Sequence, residues 1–350
     1  MTGVGGFVGA HLAARLVTDG WDVVGTVRPG GSSARLASLG LADGVEVVPV
    51  DLSQLADAAA VAARSACDVA FLLAAARASG TGAERAATAA VNGAGAGWAV
   101  EALPDRCRAV VRLGSSTEYG SSDGPMAESA PPRPRGFFGA TKAEGSQAVV
   151  VAAARRSLRA VVLRAFQVYG PLDHPGRLVP AALAAARIGA VLPLTGPGLR
   201  RDWVYVDDVV DACVRAAAAD HLPGGQVLNI GTGRQVTNEA LVVEVGRATG
   251  RPVRVDVGAH PGREWDTGSW VCDPSLAARL LGWTAKVDLA DGLARCWAAE
   301  VTGAGRVAPA QQVPGPGWRP DVGAAAGGRA APPGPSVRLE AGTASSGHPA

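Results

Sequence analysis

Apolar residues along the chain fall into short runs separated by longer Ala-rich stretches of helical period. Val23–Val27, Val45–Val50, Val69–Leu73, Ala109–Leu113 and Ala160–Leu163 are runs of four to six residues without polar alternation. Such runs predict strands buried on both faces, as in a parallel sheet. Between them, Ala10–Asp19, Leu55–Ala63, Ala86–Leu103 and Thr141–Arg155 read as helices. Strand–helix–strand alternation predicts an α/β chain with a doubly wound parallel sheet and ligands at the C-terminal strand edges. Past residue 165 the pattern is more mixed, with helices expected at Leu178–Ile188 and Asn238–Thr249 among short strands and many turn residues. Residues 166–300 therefore read mainly as a smaller C-terminal lobe that also returns segments to the sheet. From 301 to 350 Pro, Gly, Ala and Ser dominate and apolar periodicity stops, which predicts a disordered tail.

Composition narrows the class. A chain of 350 residues with 18% charged residues is a globular protein with room for two lobes. The net charge of +2 and the absence of a dense Lys/Arg block make nucleic acid and anionic membranes unsuitable partners. The Ala-rich runs 182–186 and 216–219 are too short to span a bilayer, and the first motif begins at residue 2, leaving no signal peptide before it. Cys67, Cys107, Cys213, Cys272 and Cys296 are scattered, odd in number and without a CxxC, which argues against a disulfide framework or zinc site and suits the cytoplasm. His11, His174, His221, His260 and His348 have no metal-ligand spacing, so no metal is expected.

The chemistry begins at Thr2-Gly3-Val4-Gly5-Gly6-Phe7-Val8-Gly9, with Gly3, Gly6 and Gly9 three apart and a helix following at once. The first glycine permits a tight turn, the second lets backbone amides approach a pyrophosphate, and the third lets the helix pack closely. With Phe7 and Val8 at the helix start, this predicts a Rossmann dinucleotide-binding domain over residues 1–165. Only Met1 is left for the strand that should precede the loop, so the first strand reads as truncated and the start as lying too late. After the Val23–Val27 run, Arg28 stands where NAD-binding chains carry an acid, which favours NADP over NAD.

In order and spacing, TGVGGFVG at 2, DL at 51, LAA at 73, GSSTEYG at 114, FGATK at 138, LRAFQVYGP at 163, RRDWVYVDD at 200, NIGTG at 229 and LGW at 281 follow one another. From residue 2 to about 300 the chain resembles the NAD(P)-dependent epimerase/dehydratase family of extended short-chain dehydrogenases, nearest in look to members acting on GDP sugars. The resemblance implies an NAD(P)-dependent oxidoreductase or epimerase acting on a nucleoside-diphosphate sugar, with a homodimer formed through helices near 86–103 and 141–155. It places Asp51 and Leu52 on the adenine side, and Leu73, Ala74 and Ala75 beneath the nicotinamide ribose. Ser115 or Ser116 would bind the reacting sugar oxygen, and Lys142 the nicotinamide ribose. Asn92, Gln167, Arg201 and Arg263 fall on the substrate side, with Asp202 and Asp266 as alternative partners for the arginines.

One position departs. The family's acid–base Tyr, four residues before the Lys, is Phe138 here. A phenyl ring cannot shuttle a proton, so three readings follow: a substitute acid (Glu118, Tyr119 or a water on Ser115), a weakly active or silent NAD(P)-binding protein, or a sequence error or isolated inactivating change at this position. Tyr119 and Tyr169 are expected in loops flanking the sugar. Glu118 lies one position away from the acid of the family's dehydratases, so elimination of water is less supported than reduction, oxidation or epimerisation. Asp207 and Asp208 look like a helix start, since carboxylates favour helix N-termini.

Overall fold

A computed structural model describes residues 1–54, 57, 66–77, 81–262 and 266–303, and the backbone of 337–338. Its centre is a parallel sheet. β1 (Val24–Val27) pairs with β2 (Glu46–Pro49), and β3 (Val69–Leu72), β4 (Ala109–Ser115), β5 (Arg159–Ala165) and β9 (Gln226–Ile230) pair in that order. Thr2 joins the two groups through parallel bridges to Thr26 and to Leu72. Its amide donates to the Phe71 carbonyl at 2.8 Å, and Thr26 donates to the Met1 carbonyl at 2.9 Å. The three residues Met1–Gly3 thus sit between the two groups and give backbone partners to both neighbours.

Alternation along the strands sends side chains to two faces. Ala70, Leu72, Val110 and Ala160 pack with Ala96, Ala99 and Val100 of α4 (Ala94–Glu101) and with Val149, Ala152 and Ala153 of α5 (Phe137–Arg155). Phe71, Val111, Val161 and Leu163 face the other way, onto Leu12, Ala13 and Leu16 of α1 (Phe7–Thr18) and Val209, Val210 and Cys213 of α7 (Val206–Ala218). Burial on both faces explains why these strands read as continuous apolar runs.

The single helix expected over Ala86–Leu103 is two, α3 (Gly82–Asn92) and α4, broken at Gly93. Packing decides this. A Cβ on Gly95 would lie 2.1 Å from the Leu52 carbonyl oxygen, so α4 is pressed against that loop. The helix expected at Leu55–Ala63 lies almost wholly outside the described residues. A short α2 (Ala34–Ser38), not expected, follows β1.

In the second half, β6 (Gln167–Tyr169) runs parallel to β8 (Arg200–Tyr205), which pairs antiparallel with β10 (Gln235–Thr237). β7 (Val191–Leu194) pairs in parallel with β11 (Arg254–Val257), and the Val337–Arg338 backbone, β12, joins β11 antiparallel. α6 (Leu178–Ile188) and α8 (Asn238–Thr249) have the expected bounds. α9 (Ser275–Leu281) and α10 (Leu289–Thr302) complete the described residues, and no helix among them is long and apolar enough to cross a membrane.

Candidate active site

The opening turn is built by close backbone approach. Gly3 has φ +74°, and a Cβ there would meet the Ala74 amide nitrogen at 2.7 Å; one on Gly9 would meet the Gly3 carbonyl oxygen at 2.1 Å. Gly6 caps α1 without a side-chain hydrogen bond, and the helix's first turn carries no acid. The first N–H groups of α1, at Phe7, Val8 and Gly9, therefore have no intrahelical acceptor and carry the positive end of the helix dipole. That is a cradle for a diphosphate, and the residues present fit one. Leu73 and Ala74 lie against the turn, their amides donating to the Thr2 carbonyl at 3.3 Å and to Thr2 Oγ1 at 3.2 Å; Ala75 is exposed beyond them. Asp51, half-buried beside Leu52, accepts from the Ser53 amide and hydroxyl, which hold its carboxyl below the usual range.

Arg28 is exposed after β1. A second arginine, not singled out in the sequence, reaches the turn itself: Arg35 of α2 donates to the Gly5 carbonyl at 3.2 Å and to the Leu172 carbonyl at 2.9 Å. Its distance in sequence from both partners left no local signal.

At the end of β4, Ser115 is half-buried and its Oγ lies 2.8 Å from Thr117 Oγ1. Ser116 turns inward, where its Oγ accepts from Trp270 Nε1 at 2.9 Å. Of the two candidate serines, Ser115 is the one left towards the strand edge. A Cβ on Gly139 would lie 2.2 Å from the Thr117 carbonyl oxygen, so the first turn of α5 is pressed against this serine loop. That turn carries Phe138, half-buried, with the Arg77 guanidinium 4.7 Å from its ring centre. One turn on, Lys142 Nζ donates to the Leu113 carbonyl at 2.6 Å. Burial, and then the nearby Arg112 guanidinium, pull the Lys142 ammonium down to about 7.

Asn92, expected on the substrate side, is fully buried and spends both ends of its amide on protein. Its Oδ1 accepts from the Ala76 amide at 2.8 Å, and Nδ2 donates to the Ala76 carbonyl at 2.9 Å and to Thr141 Oγ1 at 3.0 Å. It pins the loop after β3 to α5, the role of a positioning residue.

Arg201, second in β8, is half-buried, ion-paired with Asp266 at 2.6 Å and 5.5 Å from the Trp270 ring centre. Asp202 is not its partner. It is fully buried and accepts from the Thr232 amide and hydroxyl, the Gly233 amide and the Cys272 amide, tying β8 to the turn after β9. Gln167 is half-buried on β6 opposite Trp203, and Arg263 lies outside the described residues. Asp207 and Asp208 stand in the first turn of α7, where Asp208 accepts from the Lys286 and Val287 amides.

Residues 1–231 match the NAD dependent epimerase/dehydratase family. A UDP-glucose 4-epimerase of Mycolicibacterium smegmatis is 31% identical over 310 residues, 84% of this chain and 96% of that protein. The chain belongs to this family. A dTDP-glucose 4,6-dehydratase of Streptomyces griseus is 33% identical over a shorter stretch, 53% of this chain and 56% of the dehydratase. Among solved structures, MoeE5 in complex with UDP-glucuronic acid and NAD superposes with a TM-score of 0.75 at 29% identity, covering 86% of this chain and 98% of that one. These relatives carry UDP or dTDP in their names rather than the GDP that the serine loop suggests.

The side chains that the sequence offered as substitutes for the missing phenol at Phe138 are committed elsewhere. Glu118 is fully buried: one carboxylate oxygen accepts from the Ser115 amide at 2.8 Å and Ser146 Oγ at 3.0 Å, and the other pairs with Arg164 at 2.9 Å. Tyr119 is buried, donates to Asn229 Oδ1 at 2.8 Å, and burial pushes its phenol up to about 12. Tyr169, expected in a loop beside the sugar, is instead a core residue of β6, edge-on to Trp203 and Tyr205. The sequence spacing offered Glu118 and Tyr119 as substitute acids; the fold turns both inward.

Proposed function

We propose that the chain binds NADP(H), or NAD(H), and a nucleoside-diphosphate sugar, and acts as an oxidoreductase or epimerase at a sugar carbon. The observation carrying this reading is one edge of the sheet that combines the bare α1 N-terminus at Gly3–Gly9 with Ser115 and Lys142. A nicotinamide cofactor held there supplies hydride transfer to or from a sugar carbon. The Gly6–Gly9 backbone holds the diphosphate, and Leu73 and Ala74 wall the turn. Ser115 Oγ orients the sugar oxygen, and Lys142 Nζ binds the nicotinamide ribose. Arg28, exposed after β1 where an acid would serve NAD, supports the preference for NADP. Elimination of water is disfavoured, because Glu118 is locked in its ion pair with Arg164.

A second reading rests on Phe138 itself. With Glu118 and Tyr119 both engaged internally, neither of the side chains offered in place of the missing phenol faces it, which supports a protein that binds both ligands and turns over weakly. Phe138→Tyr distinguishes the two. If the rest of the site is competent, the variant raises turnover of a UDP, dTDP or GDP sugar by about 10²–10⁴-fold. A wild-type protein already turning over at enzyme-like rates, unchanged by Phe138→Tyr, removes the weak reading. Thermal shifts with each dinucleotide report binding in either case, since a ligand bound only by the native state raises its stability.

A further inference from the structure

The opposite end of the same sheet carries two cysteines that none of this chemistry uses. Val69 pairs with Ala109 at the start of β3 and β4, and just before it the Arg108 amide donates to the Asp68 carbonyl at 2.9 Å. The next residues back are Cys67 and Cys107, so the parallel register sets them side by side. Neighbouring strands lie about 4.8 Å apart, within the roughly 4.4–6.8 Å between Cα atoms that a disulfide spans. Their side chains share a face. Cys107 is 2% exposed within the cluster of Ala70, Val110 and Val149, and Cys67 packs at the rim of that cluster, half-exposed. Cys107 Sγ lies 3.5 Å from the Ala109 carbonyl.

We propose that Cys67 and Cys107 form an oxidisable dithiol, in which the accessible Cys67 reacts with small disulfides and Cys107 resolves the product. Cys67 thiolate attacks one sulfur of the small disulfide and bonds to it; the S–S bond breaks, and the other sulfur leaves as a thiolate that takes up the proton Cys67 released. Cys107 then loses its proton, and its sulfur displaces the second small thiol. Two protein thiols are oxidised to one disulfide while one small disulfide is reduced to two thiols. The order of attack follows the environment. Interaction with the neighbouring Cys107 thiol pulls the Cys67 thiol below its ordinary range, whereas the same interaction and burial raise Cys107. Cys213, Cys272 and Cys296 are buried and raised by burial, which leaves them protonated and shielded.

The test is incubation of the full chain with oxidised glutathione, followed by intact mass and non-reducing peptide mapping. The expected result is loss of two hydrogens and one linked peptide pair joining Cys67 to Cys107. Cys67→Ser should show no linkage, and Cys107→Ala should stop at a glutathione adduct on Cys67. A stable adduct on Cys67 in the wild type, a linkage involving another cysteine, or unchanged mass overturns the proposal. The wild-type map decides even if a variant fails to fold. Dinucleotide binding is not part of the readout, so the proposed activity stands or falls separately.

Discussion

Lys142 is buried near Arg112, and Glu118, the carboxylate that favours its charge, already pairs with Arg164. Removing one member of such a buried pair typically costs about 3–5 kcal/mol, because the other charge is left without compensation. Lys142 has no such partner, so folding disfavours its charged form. The sign follows from linkage. Its folded value, about 7, lies below the 10.5 of an ordinary lysine, so between these the unfolded chain binds more protons and stability rises with pH. Urea melts of the wild type and of Lys142→Met should therefore diverge above pH 7, the wild type gaining stability relative to the variant. A constant difference up to pH 10 would mean that the ammonium is solvated after all. Phe138 belongs to the same scale: a hydroxyl lost on one ring removes the titratable group and leaves the half-buried shape in place.

Among the elements, the N-terminus of α1 and the turn before it depend on missing side chains. A methyl on Gly9 would overlap the Gly3 carbonyl oxygen, backbone that cannot swing away. Gly9→Ala should abolish the thermal shift with NADP(H) and NAD(H) and lower the melting temperature. Gly82, the first residue of α3, is the control, since a Cβ there meets nothing within 4 Å. Gly82→Ala should be neutral or stabilising by up to about 1 kcal/mol, as the chain loses less backbone entropy on folding. Equal effects from both substitutions would show that propensity, rather than close approach, makes Gly9 necessary. The same packing divides the Ala86–Leu103 stretch into two helices, because α4 must settle against Leu52 while α3 delivers Asn92 to Ala76 and Thr141.

For the whole molecule, one parallel sheet carries the candidate site at the C-terminal ends of its strands and the dithiol at the N-terminal ends of β3 and β4. The second half returns to this sheet: β9 extends it beside β5, and α7 covers one of its faces. Every described candidate residue lies before Gly303, and past it only the β12 backbone is seen, pairing with β11. Deleting residues 304–350 should therefore leave dinucleotide affinity unchanged in a thermal-shift titration. A loss of affinity on deletion would assign the tail to the site.

Much of this was legible in order and spacing. The apolar runs located β1 to β5, the three glycines located the turn, and α6 and α8 came out with the bounds their periodicity predicts. Local patterns suffice there because strand burial, helix period and glycine conformation are properties of neighbouring residues. The direction in which a side chain points is not such a property. Ser115 and Ser116 are adjacent, yet only Ser116 meets Trp270, which lies far along the chain. Glu118 and Tyr119 follow the serines directly, yet Arg164 and Asn229 draw them into the interior. Residue type and spacing determined which chemistry the chain can carry; which groups face the cleft was decided by partners brought together only when the sheet assembles.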